Sequence, residues 1–339
     1  MTTWPSRIHR RRVISVAGGL GAALALRGAP AIAQTTPKKM ILAHNGPPPE
    51  SSAAAYQWFA NELTARSKGE IDVDFRGGTL LTKEIDIINA VKAGNIALGS
   101  PVGAAATLFP EMGVFLVPYL VSTYEQGYRI LNGPIGQALD ELFQKKYGVK
   151  VMFFNDSGFR HIWNSRRPIY EPSDLRGLKI RVQPAKIFAE GINALGGVAV
   201  PMAWSEVMTG AEQGVIDGGD LPVFNIVPLK VYEVTKYLSL TYHSYSPSFL
   251  AMNLAVWNGL RPDQQKLALE VGRGAQQVMR NLNETVDSLE GAKKLLEPYK
   301  LPVNAADVPA FKKVVQEKMW PAYQKQYPEM WEKIVSTPA

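Results

Sequence analysis

Cysteine is absent from all 339 residues. That absence excludes disulfides, thiolate zinc sites and cysteine nucleophiles together. A chain of this length can rely on core size instead. Histidine is scarce: His9, His44, His161 and His243 lie far apart, with no metal-ligand spacing. The H-E-x-x-H, G-x-x-x-x-G-K-[ST] and G-x-S-x-G patterns are missing. Gly19-Leu20-Gly21 imitates the start of a dinucleotide motif, but it sits in an apolar stretch and no strand precedes it. No cofactor, no metal and no enzymatic activity are therefore expected. A catalytic site built from scattered residues is the alternative left open. Beyond the N-terminal stretch no long apolar run occurs. Met112–Val121 is short and broken by Pro118, against the ~20 residues a membrane helix needs.

Positive charge is in surplus, at +7. Arg7, Arg10, Arg11, Arg12 and Arg27 all fall within the first 33 residues, with no acid among them, and removing these five takes +7 down to +2. No basic stripe interleaved with aromatics remains, so nucleic acid is not an expected partner. His9–Ser15 (HRRRVIS) leads into an apolar stretch from Val13 to Leu26, and Ala31-Ile32-Ala33 is a small-x-small cleavage site. Residues 1–33 read as an export signal, cleaved after Ala33. The adjacent arginines favour the twin-arginine route, though a general secretory signal with a basic start also fits. The mature protein is expected in the periplasm, as a monomer.

Hydrophobic periodicity predicts an α/β chain. Met40–Ala43 reads as a strand, and Ser52–Ser67 as a helix with Ala55, Phe59 and Leu63 four apart. Ile71, Val73 and Phe75 alternate with acids as a strand does. Thr82–Ala93 is a helix, and Ile96–Leu98 is the next strand. This alternation is that of an open α/β sheet. GNIALG (Gly94–Gly99) and GVIDGG (Gly214–Gly219) both follow helices. Chance explains such a pair, or else two lobes of like architecture do. Trp204–Gln213 reads as a helix and Val215–Asp217 as a strand. Pro262 opens a helix of some thirty residues whose stripe runs from Leu267 to Leu289, and Ala306–Trp331 is a helical tail.

The most informative string is DLRGLKIRV (Asp174–Val182). Gly177 supplies a turn, and Ile180 and Val182 share one face of a short strand. Arg181 then points to the other face. Its rigid fork matches a carboxylate two-pronged. Alone it would be a solvated or structurally paired arginine. Asn45 follows the first strand, at the carboxyl end where open α/β sheets present ligand-binding groups. An ordinary turn asparagine is the other reading.

GFRHIWNSRRPI, DLRGLKIRV, VPMAWSEV, GVIDGGDLP and KVYEVTKYLSLTYH stand in this order between Gly158 and His243. Together they resemble the solute-binding proteins of TRAP transporters, the DctP-like family, with weaker similarity from Met40 to about Pro328. The resemblance implies a two-lobed periplasmic binding protein, type II-like, with a hinge and a long C-terminal helix bracing both lobes. Lobe I would comprise 34–157 plus 247–286, and lobe II 158–246 plus 287–339. It also implies capture of an organic carboxylate for a TRAP-type, ion-driven membrane permease. Arg160 would join Arg181 in the cleft, and Trp204 would be an aromatic wall. Tyr119 is a further wall candidate, and Asp220 a rim acceptor for a ligand hydroxyl. Sialic-acid-type members carry asparagine where Leu221 stands, glutamate near Val102, and asparagine at Pro184. These departures imply a smaller or more apolar ligand: a 2-oxo acid, an aromatic acid or a dicarboxylate. Two other readings stay open: a binding protein of an ABC or tricarboxylate-type transporter or sensor, and an exported α/β enzyme.

Overall fold

The computed structural model describes residues 38–339. The expected export signal, with its paired arginines and the Ala33 cleavage point, lies outside the described residues. Strand β1 (Lys38–His44) leads into α1 (Ser51–Arg66), β2 (Ile71–Gly77), α2 (Glu84–Lys92) and β3 (Leu98–Gly99), as the periodicity predicts to within a few residues. Helix α1 starts where it does because the Glu50 carboxylate accepts from the backbone N–H of Ser52 at 3.1 Å and of Ala53 at 2.9 Å. The short α3 (Ala105–Leu108), then α4 (Tyr124–Asn132) and α5 (Pro134–Tyr147), cover one face of the sheet. Proline opens α5 and a left-handed Gly148 closes it.

Two long strands carry the architecture. β4 (Val149–Asn164) and β8 (Tyr237–Asn253) run antiparallel beside each other. Between them in sequence come β5 (Lys179–Val182), α6 (Lys186–Ala194), β6 (Val198–Pro201), α7 (Trp204–Glu212) and β7 (Gly218–Leu221). The sheet order is β2-β1-β3-β8-β4-β7-β5-β6. β3 pairs with β8 at Ala251 and Met252, whereas β7 pairs with β4 at the far end, from His161 to Asn164. The two long strands thus belong to both halves of one sheet. Their ladder slips between Asp156 and Phe159, opposite Tyr245–Pro247. Gly158 makes the slip possible: its φ is +97°, and an added Cβ would stand 2.8 Å from the Tyr124 hydroxyl.

The C-terminal part continues with α8 (Leu254–Asn258), α9 (Pro262–Val286), α10 (Leu289–Leu296) and β9 (Val303–Ala305), which adds beside β8. α9 packs on α1 and β4 and reaches the turn at Val223–Ile226, so it braces both halves. It spans 25 residues rather than some thirty. The apolar stripe runs on through Leu289, but Asp287 is drawn away to His161 at 2.6 Å and to the Tyr124 hydroxyl at 2.6 Å. Ser288 then caps a new helix through the Gly291 N–H. The tail is likewise divided, into α11 (Val308–Lys318), α12 (Trp320–Gln326) and α13 (Pro328–Val335), because Pro321 and Pro328 each restart a helix. Another difference lies at Val215–Asp217: the ladder begins only at Gly218, while Asp217 spends its carboxylate on the Lys179 N–H and Arg166.

Apolar packing follows this plan. Tyr56, Phe59, Ala268 and Val271 bury one face of the first half. Trp163, Val207, Leu240 and Leu296 do the same for the second. A third and larger cluster, including Phe143, Phe249, Ile180 and Trp331, runs beneath both. Among the described residues, no helix is long and apolar enough to cross a membrane.

Candidate functional site

Where the carboxyl ends of the strands of both halves meet, a solvent-connected chamber has a cavity volume of ≈ 70 Å³. Its few polar groups among apolar side chains suit a small metabolite. Arg181, Arg160, Trp204, Asn45 and Leu221 all line it. The structure therefore brings together these five expected site residues.

Arg181 occupies the middle of β5, flanked by Ile180 and Val182, which are fully buried on the opposite face. Its own side chain is only 3% exposed. The guanidinium Nε donates to the Met202 carbonyl at 2.9 Å, and its carbon lies 5.3 Å from the Trp204 ring centroid. Trp204 reaches that position because it is the first residue of α7, directly after the β6 crossover. No carboxylate among the described residues forms a salt bridge with Arg181. Burial pushes its pKa down to about 10; the nearby positive charge of Arg160 acts in the same sense, while Asp220 and Glu84 oppose it. A buried cation without a partner, bordering a chamber, is an anion receptor waiting for its anion.

Arg160 is different. It is 2% exposed and already paired: Nε and Nη2 grip Asp220 at 2.6 and 2.7 Å, and Nη2 also reaches the Asp220 carbonyl at 2.5 Å. Asp220 stands across from Ile162 in the β4/β7 ladder, one pleat from Arg160, which puts the two on adjoining sites of one face. His243 Nε2 meets the same carboxylate at 3.2 Å, and its Nδ1 meets the Thr241 hydroxyl at 2.8 Å. Burial would raise the Asp220 pKa, but the charge and hydrogen bonds of Arg160 outweigh it and hold the carboxyl far below its ordinary range. The expected rim position of Asp220 is thus corrected: it is 2% exposed, absent from the chamber wall, and serves to fix Arg160.

Tyr119 also falls outside the chamber. Its backbone turns at φ +62°, and its hydroxyl donates inward to the Thr241 carbonyl at 2.8 Å. That buried bond takes the ring into the core and away from the crevice.

The first half contributes a polar part of the chamber wall. Asn45 Nδ2 donates to Glu84 Oε1 at 3.0 Å. Burial raises the Glu84 pKa above the ordinary value. Glu50 is held lower: its burial is outweighed by His44, whose Nε2 lies 3.0 Å away, and by the α1 N–H groups. Asn225, from the second half, donates to Glu50 Oε1 at 3.3 Å across the crevice. Leu221, Pro222, Leu229 and Val102 complete an apolar lining. Sequence reasoning missed His44, Glu50, Glu84, Gln183 and Asn225. Gln183 was findable from its two-residue spacing to Arg181, and His44 from its place before Asn45. Glu84 and Asn225 carry no local signal. Among the described residues, no cluster of histidines and acids is arranged to hold a metal ion.

A two-lobed α/β frame, long strands shared by both lobes and an unpaired buried arginine in the crevice define a ligand-capturing binding protein. The family model for bacterial extracellular solute-binding proteins, family 7 (DctP), matches residues 42–330, and the chain belongs to that family. It is 32% identical over 234 residues to the 2,3-diketo-L-gulonate-binding periplasmic protein YiaO of Escherichia coli, covering 69% of this chain and 71% of that one. With the C4-dicarboxylate-binding periplasmic protein DctP of Rhodobacter capsulatus it shares 30% identity over 263 residues, 76% of each chain. A TRAP periplasmic solute-binding protein of Bordetella bronchispeptica, solved with density assigned to pantoate, superposes with a TM-score of 0.82 at 29% identity. That match covers 89% of this chain and all of the other. Its fold is that of TRAP periplasmic solute-binding proteins. Its family and fold are those of transport proteins rather than enzymes.

Proposed function

We propose that this protein captures a small hydroxylated monocarboxylate in the periplasm and hands it to an ion-driven TRAP permease. The observation that carries this reading is the pairing of walls. Arg181 lines the chamber with its two terminal nitrogens uncommitted, and Asn45, Glu84 and Glu50 line the same chamber from the first half. A carboxylate seated on Arg181 leaves the rest of the ligand between Trp204 and Leu221 and against those acceptors. Hydroxyls suit carboxylate acceptors, whereas a second carboxylate would meet Glu84 and Glu50 as like charges. Of the ligand classes expected from sequence, the dicarboxylate is therefore the least suited. Relatives that bind 2,3-diketo-L-gulonate, or that show density assigned to pantoate, are consistent with a hydroxylated acid.

In this reading the lobes divide at 157/158 and 246/247, where the β4/β8 ladder slips. Closure about that slip excludes water and strengthens the Arg181 ion pair. The signal over residues 1–33 directs export by the twin-arginine route, with cleavage after Ala33, and the protein acts as a monomer that turns over none of its ligands. A thermal-shift screen against hydroxy acids, sugar acids, 2-oxo acids and dicarboxylates tests the ligand class, since a ligand that prefers the native state raises Tm by mass action. The largest shift is expected with a hydroxylated monocarboxylate. A panel led by dicarboxylates, or one with no shift at all, would contradict it.

A further inference from the structure

Gln183 follows Arg181 by two residues at the end of β5. Side chains at that spacing leave a strand on the same face, roughly 7 Å apart. Gln183 lines the Arg181 chamber and also a small recess beside it, of ≈ 20 Å³, which shares Val102, Ser157 and Arg160 with the chamber. The side chain crosses the crevice and lies against Gly103. A Cβ built on Gly103 would stand 2.3 Å from the Gln183 Nε2, 2.5 Å from Cδ and 2.9 Å from Oε1. Gly103 has an ordinary backbone conformation, so its smallness serves this contact and nothing else evident.

The Gln183 amide has no hydrogen-bond partner among the described residues. Its neighbours are committed: Asn45 to Glu84, Asn225 to Glu50, and Glu50 to His44 and the start of α1. In the recess, the buried Ser246 Oγ likewise lacks a partner. An uncommitted carboxamide, half-buried beside the anion receptor, leaves its acceptor and donors to water until a ligand arrives.

We infer that Gln183 reads the polar substituent on the carbon next to the ligand's carboxylate, and that Gly103 is the seat that holds it there. This rests on the proposed anchoring of the carboxylate by Arg181. A hydroxyl at that carbon both donates to Oε1 and accepts from Nε2. An analogue without it leaves the amide unpaired in a closed crevice, which is the stronger form of discrimination.

Calorimetry on the full chain tests this with three pairs of probes: pantoate, D-erythronate and D-glycerate, each beside its 2-deoxy analogue. Wild type should prefer the hydroxylated member of the pair it binds by roughly tenfold or more. Gln183→Leu should bring that ratio to about one. Gly103→Ala should do the same, because the new Cβ displaces only the far end of a flexible side chain. The double variant should lose nothing further, and all three should melt near wild type. If wild type discriminates and both single variants retain the ratio, the role of Gln183 is refuted while the carboxylate reading stands. If wild type binds hydroxylated and deoxy acids alike, the inference also fails alone. If it binds none of the six, the reading of the site fails and takes this inference with it.

Discussion

The Arg181 guanidinium carbon sits 5.3 Å from the centroid of the Trp204 ring, and no acid among the described residues forms a salt bridge with it. Sixty residues of sequence separate Arg160 from Asp220, yet that second arginine is gripped by its acid through both Nε and Nη2. The crevice therefore holds one satisfied arginine and one that is not. The unsatisfied one costs the free protein stability and gives the ligand its anchor.

That cost can be measured. Arg181→Met should raise the stability of the ligand-free protein, by an amount on the order of 1 kcal/mol, because it replaces an unpaired buried cation with an apolar chain of similar length. Arg181→Lys should keep the fold and weaken carboxylate binding on the order of 100-fold, since a point charge cannot reproduce the fork. Urea unfolding and calorimetry check the two halves. A destabilised methionine variant would mean that Arg181 is a structural residue.

Asp220→Asn should behave in the opposite way. It leaves Arg160 buried without its counter-charge and should cost about 3–5 kcal/mol. The sign of the pH dependence follows from the depressed carboxyl. The folded pKa lies below the unfolded value of about 3.9, so the stabilisation is complete above that pH and is lost as pH falls towards the folded value. Acid unfolding curves of wild type should therefore be steep below about pH 4, and those of Asp220→Asn shallower. His243, buried beside Asp220 with a lowered pKa, adds a contribution of the same sign that fades as pH drops below about 6.5.

Asp156 carries the reverse sign. It sits at the β4/β8 slip, accepts from Tyr245 and the Gly158 N–H, and burial pushes its pKa up to about 6. Near it are Tyr128, Tyr124 and, from α9, Glu284, while Arg280 acts on Tyr128 and Tyr245. A folded pKa above the unfolded one means that the contribution is complete below about pH 4 and is lost as pH rises through the folded value. Asp156→Asn can keep both contacts by accepting from Gly158 and donating to Tyr245. It should stabilise the protein by about 2–3 kcal/mol at pH 8 and little at pH 4. Melting temperatures of the pair at the two pH values decide it; an equal difference at both would contradict the assignment.

Glu84 and the ligand's charge are linked. If Glu84 faces the far end of a monoanion, Glu84→Gln should improve the affinity for succinate relative to a hydroxylated monocarboxylate by roughly tenfold. Competition binding with both acids reads the ratio. An unchanged ratio would remove Glu84 from the discrimination.

How much of this could be read from sequence depends on the range of the interaction. The Arg181 strand was legible because alternation is local: Ile180 and Val182 fix the face of the residue between them. Trp204 was legible as a helix start for the same reason. The grip of Arg160 on Asp220 was not, because it depends on the antiparallel register of β4 and β7. Without that register Asp220 looked like a rim acceptor. Tyr119 misled because its left-handed backbone, invisible in the letters, turns the ring inward. The stripe from Leu267 to Leu289 concealed the break at Asp287, since the acid is removed from the helix by His161 and Tyr124, both distant in sequence. The acidic wall was missed where it mattered most: Glu84 opens α2 with no motif around it, and only the fold brings it to Asn45.

The most direct test of the account is a crystal structure of the protein with its best-binding acid from the thermal-shift panel. The account predicts one carboxylate oxygen on each free terminal nitrogen of Arg181, within hydrogen-bond distance, with the carbon chain alongside Trp204 and the hydroxyls towards Asn45 and Glu84. An acid bound away from Arg181, with that guanidinium turned onto a protein carboxylate, would contradict it.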